Sequence, residues 1–197
     1  GTLGYFLYTY MSYTFLWMYN PLFIIYVILM SLSLFSFIML MMSFKLETIE
    51  KQFVEKLPIS FLGIYQIVIG ALIGLLWLGK IMPTILDNST PVGLEYYTTL
   101  VIQGMDLGFV VPVAILSGIL LMKRRPMGYL LTSVVAVKGF TMLLAISAMI
   151  VNQVINRVNV NTIELIMFPA LNLVSIYVFI VFLKGLKNQK DIDLSQL

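Results

Sequence analysis

Residues 59–82 read ISFLGIYQIVIGALIGLLWLGKIM, and apart from Lys80 near the far end no charge interrupts them. Apolar runs of this length recur along the chain with only short polar breaks between them. An α-helix rises about 1.5 Å per residue, so about 20 such residues cross the roughly 30 Å hydrocarbon core of a bilayer. Inside lipid a spanning backbone must satisfy its own polar groups, which leaves helices and closed barrels. Barrel strands are about 10 residues long and alternate apolar with polar, whereas these runs are continuously apolar. The sequence therefore predicts an all-α fold, a polytopic transmembrane helical bundle forming one integral-membrane domain over residues 1–197. Composition agrees: 60% of residues are hydrophobic and 11% charged, against about a quarter charged in soluble domains, so no stretch remains for a separate soluble domain.

Six spans are predicted, roughly at residues 4–19, 21–44, 59–82, 98–122, 128–151 and 163–182. The first is short and rich in aromatics, Tyr5, Tyr8, Tyr13 and Trp17 among them, which suits packing and interfacial anchoring; a ring-lined wall for an apolar or cationic ligand is the alternative. Tyr19, Asn20 and Pro21 form a tight turn, since proline is tolerated at a first helical position. The most polar break, KLETIEKQFVEKLP, carries Glu47 and Lys51 four residues apart, which suits a short surface helix. Asn88, Ser89 and Thr90 match the glycosylation triplet, with Pro91 an unfavourable follower. The chain opens GTLGYFLYTY without Met, as a processed chain or a segment of a longer protein would. No basic region and cleavage site mark a signal peptide.

Basic residues give the predicted orientation, because Lys and Arg accumulate in cytoplasmic breaks. Lys45, Lys51 and Lys56, then Lys123, Arg124 and Arg125, then Lys184, Lys187 and Lys190 fall on one side of a six-span layout; Arg157 and Lys80 fall on the other. Both termini are thus expected to be cytoplasmic. The net charge of +3 follows from this topology and implies no nucleic-acid partner. Cys and His are both absent, which removes thiol chemistry, imidazole bases and the usual zinc and haem ligands. No cofactor and no metal are expected.

Polar side chains nevertheless lie deep in the apolar runs. Gln103 and Asp106 share a face of the fourth span; Lys138 and Thr141 share one of the fifth; Asn172 stands in the sixth and Gln66 in the third. Counting from the basic breaks, Lys138 lies 13 residues beyond Arg125 and Asp106 lies 17 residues before Lys123, depths of roughly 20 and 25 Å. Spans four and five are joined by a few residues, so they are expected to be antiparallel neighbours and an Asp106–Lys138 ion pair is geometrically open. An Asp or Lys at a helix centre costs roughly 2.5–3.5 kcal/mol on insertion scales, so two need pairing, hydration or neutralisation. Pro112 removes a backbone hydrogen bond close to Asp106, and Pro169 stands three residues before Asn172; broken helices beside polar sites are a transporter device. Gly70 and Gly74 form a GxxxG pattern for close helix approach.

The function classes follow from these residues. The first is a small transporter or channel-like protein with an outward-facing polar cavity around Asp106 and Lys138, with Gln103, Asn172, Thr141 and Gln66 as ligand- or ion-coupling groups for a small-molecule or ion substrate. The second is a non-catalytic assembly or sensor subunit, in a homo-oligomer or larger membrane complex, whose polar pair only specifies helix packing. An enzyme would be confined to Asp/Lys or Ser/Lys chemistry, and Ser133 is poorly placed against Lys138 on one helix; a pigment bound through Lys138 with Asp106 as counter-ion would absorb visible light. The Met-, Ile- and Asn-rich composition suggests a bacterial or archaeal cytoplasmic membrane.

Overall fold

The computed structural model describes residues 1–54, 56–91, 94, 99–157 and 162–186, with the side chains at 163 and 164 excepted. The predicted basic residues Lys187 and Lys190 lie outside the described residues. Among the described residues the secondary structure is helical, and the extended pairing is one isolated bridge between Phe53 and Leu186.

Five helices are long and apolar enough to cross a membrane: α2 (Phe23–Ser43), α4 (Ile59–Leu86), α5 (Val101–Met122), α6 (Pro126–Ile155) and the 165–184 stretch of α7 (Thr162–Lys184). The protein is an integral membrane protein. The segment predicted as the first of six spans is a shorter helix, α1, built from Thr2–Gly4, a π-helical stretch Tyr5–Tyr10, and Met11–Phe15. It ends at Phe15, four residues before the predicted end of that span. A short helix, α3 (Leu46–Ile49), and a 3₁₀ turn, Glu50–Gln52, occupy the polar break.

Boundaries follow local chemistry. Asn20 opens α2: its Oδ1 accepts from the Leu22 N–H at 2.9 Å and its carbonyl from the Phe23 N–H at 3.0 Å. The third predicted span was expected to stop before Pro83, yet α4 runs on to Leu86 with Pro83 in its last turn. The ring of a helical proline crowds the carbonyl four residues back, here that of Gly79, where no Cβ competes for space. Pro126 occupies the first turn of α6 and Arg125 before it is extended (ψ 138°), as residues preceding proline are.

The chain divides into two compact units, each described by itself: residues 1–45 with 67–115, and residues 46–66 with 116 onwards. In the first unit α1 packs on α2 through aromatic rings, with Tyr13 and Tyr26 centroids 5.2 Å apart. The GxxxG pair finds an intramolecular partner. A Cβ on Gly70 would meet Ile115 Cγ1 at 3.1 Å and Ala114 Cβ at 3.2 Å, so the pattern brings α4 against α5. Most of α2 points outward, with Phe35 at 61% and Met42 at 79% exposure; such a surface suits lipid and would be a liability in water.

In the second unit Gly128 on α6 lies so close to the backbone of Leu120 and Leu121 on α5 that no Cβ fits. α6 also packs on α7, where the rings of Phe140 and Phe179 stack at 4.9 Å. The polar break is tied to the end of α7 by the Val54 N–H, which donates to the Gly185 carbonyl at 2.8 Å. Phe53 is buried between Tyr129 and Phe182, with ring centroids at 5.2 and 5.8 Å.

Candidate functional site

Asp106 is 1% exposed and opens the π-helical stretch Asp106–Val110 inside α5. A π-turn bonds residue i to i+5, and here the Val111 N–H donates to the Asp106 carbonyl. The wide turn sits immediately before Pro112, whose ring would crowd the Gly108 carbonyl, itself within that turn. The carboxylate is held at both oxygens: the Tyr8 hydroxyl donates to Oδ1, and the Trp77 indole N–H donates to Oδ2 at 2.9 Å. Tyr8 lies in the other π-helical stretch, where the Met11 N–H bonds to the Phe6 carbonyl. Three helices, α1, α4 and α5, thus meet at one charge within the first unit. Lys80 Nζ lies 5.4 Å from the Trp77 ring centroid, a cation–π contact that braces the indole one helical turn away.

The energies are comparable. A hydrogen bond to a charged group is worth about 1.5–3 kcal/mol, so two of them supply roughly what an ionised Asp loses on entering hydrocarbon. The donors are not equivalent. An indole N–H only donates, whereas a phenol hydroxyl donates or accepts. Of the two, only the Tyr8 hydroxyl can turn around and accept from a carboxyl O–H.

The second unit holds a different polar centre. Ser117 is fully buried, and its Oγ donates to Gln66 Oε1 at 2.5 Å and lies 3.2 Å from Thr132 Oγ1. Gln66 Nε2 donates to Thr132 Oγ1 and to the Leu62 carbonyl, both at 3.1 Å. Thr132 Oγ1 donates to the Gly128 carbonyl at 2.7 Å. These bonds form a neutral, closed set between α4, α5 and α6. The close approach at Gly128 brings Thr132, one turn further along α6, within reach of α5.

The predicted residues are thus distributed. Asp106 and Gln66 each organise a buried centre. Asn172 is buried on α7, where its carbonyl accepts from Ser175 Oγ at 2.9 Å. Gln103 is half-buried in the first unit and Lys138 half-buried in the second. Thr141 is exposed, and its hydroxyl returns to its own helix at the Val137 and Lys138 carbonyls, at 2.9 and 3.2 Å. Tyr8, Trp77, Ser117 and Thr132 were not anticipated. The first unit also has an opening of about 380 Å³, walled by Ile81, Ile85, Leu100 and Leu107 with hydroxyls from Thr84 and Thr99; Asp106 does not line it. Among the described residues no three acidic side chains gather into a metal-binding group. The chain matches no protein-family model, no curated protein and no solved structure.

Proposed function

We propose that this protein is a small transporter or channel-like protein in which Asp106 takes up and releases a proton or cation within the membrane. The observation that carries this reading is a carboxylate buried in a membrane helix whose partners are two neutral aromatic donors. Such partners stabilise the anion without neutralising it, so the charge stays available to a mobile cation. Intramembrane acids are costly and characteristically serve ion or proton pathways.

Protonation at Oδ1 reverses or breaks the Tyr8 bond and weakens the tie between α1 and α5, which favours a second helix arrangement. Lys138 is proposed as the counter-charge of Asp106 during this cycle, on the energetic ground that two intramembrane charges compensate each other. The proposed topology is six spans, the five long helices together with α1, and both termini cytoplasmic, with a polar cavity around Asp106 reached from the outside. The distribution of basic breaks supports that orientation.

Purified protein in liposomes, given a pH or cation gradient and followed by an interior dye, tests this directly. Asp106→Asn should abolish flux while leaving the fold. A double variant, Asp106→Asn with Lys138→Met, that carries full flux would sink the coupling role. It would favour instead a non-catalytic assembly or sensor subunit, a reading supported by one fact: no buried side-chain polar atom lacks a partner among the described residues.

A further inference from the structure

The second unit carries, where the polar break meets the ends of α5 and α6, a cavity of about 500 Å³ that takes no part in the Asp106 chemistry. Its rim holds two acids, Glu47 and Glu50, and two bases, Lys51 and Arg124, all with exposed side chains. Phe53 and Leu57 form a buried apolar floor. The Tyr129 hydroxyl donates to Glu50 Oε1 at 3.3 Å, a long bond easily exchanged for a ligand, and Arg124 lies within electrostatic reach of the same hydroxyl.

Arg124 is the informative residue. Its φ is 53°, in the left-handed region. Its N–H donates to the Leu121 carbonyl at 2.8 Å, and the Arg125 N–H donates to the Leu120 carbonyl at 2.9 Å. This pair of bonds is the Schellman ending, whose left-handed position is ordinarily glycine because a Cβ is crowded there. Lys123 and Arg125 already give this break its positive charge. The turn would close with less strain on glycine; what arginine adds is a guanidinium at the cavity rim.

We infer that this cavity binds a zwitterion combining a phosphate with a primary ammonium, the chemistry of a phosphoethanolamine headgroup. Arg124 and Lys51 hold the phosphate, and Glu47 and Glu50 hold the ammonium. Among the described lining residues two charges of each sign balance, so an ion of one sign alone meets repulsion from half of them. The guanidinium fork matches phosphate oxygens, and a primary ammonium offers three N–H donors to carboxylates where a trimethylammonium offers none. The apolar floor accommodates the carbon skeleton, and the volume falls within the roughly 300–1,000 Å³ of small-ligand sites. The ligand's source is a membrane lipid or a soluble phosphoamine.

The test uses full-length protein in nanodiscs of equal phosphatidylethanolamine, phosphatidylcholine and phosphatidylglycerol, with co-purifying lipid quantified, and thermal unfolding with and without soluble phosphoethanolamine. Phosphatidylethanolamine should be retained about tenfold over either other lipid, the ratio expected for one charge-assisted hydrogen bond. Arg124→Gly should unfold at the same or a higher temperature, because it relieves the turn, yet lose that enrichment; Glu50→Gln should weaken it. Protection by soluble phosphoethanolamine identifies a soluble source, and enrichment without such protection identifies the lipid; either result supports the site. Equal retention of the three lipids without protection overturns the proposal. So does preferential retention of phosphatidylglycerol, or an Arg124→Gly variant with unchanged enrichment.

Discussion

The two polar centres solve the same problem, a hydrophilic group among apolar helices, in opposite ways. Around Gln66 an amide and two hydroxyls donate and accept among themselves and to the carbonyls of Leu62 and Gly128, so the set is neutral and complete. Around Asp106 a formal charge is solvated by two donors that carry no charge. A closed neutral set has one stable arrangement and fixes packing. A charge held by a donor that can reverse and a donor that cannot has two arrangements, distinguished by a proton. On the proposed reading the first centre is structural and the second is the one that exchanges.

Substitutions should separate them. The largest loss of stability is expected from Gly128→Ala, about 3 kcal/mol in equilibrium unfolding in mixed micelles, because the new methyl meets backbone that cannot step aside. Trp77→Phe should cost about 2 kcal/mol by removing the indole donor to Oδ2, and it should also change flux in liposomes. Gln66→Leu should cost about 1–2 kcal/mol, since Ser117 and Thr132 still reach each other, and flux per folded molecule should stay as in the parent. A Gln66 variant that folds fully but transports poorly would erase the distinction.

Asp106→Asn should cost less than about 1 kcal/mol. Its Oδ1 can accept from Trp77 while its Nδ2 donates to Tyr8, which copies the bonding of the protonated acid. The variant should therefore be stable and inactive. Thr141→Val should shift stability by no more than about 0.5 kcal/mol, as its exposed hydroxyl only bonds its own helix.

Much of the fold was legible because hydrocarbon thickness dictates helix length. The start at Ile59 and the end at Met122 fall where the apolar runs begin and stop, and Pro126 and Asn20 mark their helices by local chemistry. The first segment is helical as expected, but its helix ends at Phe15, four residues before the boundary read from its aromatic, apolar content. The position of Asp106 was legible for the same reason that it is costly: a carboxylate stands out in an apolar run.

Its partners were not legible. Tyr8 meets Asp106 across 98 residues of chain, and a tyrosine or tryptophan in a membrane segment looks like an interfacial anchor until its polar tip is located. Ser117 and Thr132 were hidden because membrane helices routinely absorb hydroxyls into their own backbone, as Ser147 and Thr141 do here. The glycines at 70 and 74 announce a close approach, and what approaches is α5, whose position the pattern does not encode.

The most direct measurement is infrared difference spectroscopy of the membrane-reconstituted protein between alkaline and acid pH. If Asp106 exchanges a proton, a carboxylic-acid C=O band should appear on acidification, vanish in Asp106→Asn and change frequency in Tyr8→Phe, while Gln66→Leu leaves it in place. Absence of any such band attributable to Asp106, with the protein still folded, would mean that the acid keeps one protonation state across the two pH values and would contradict the exchange role.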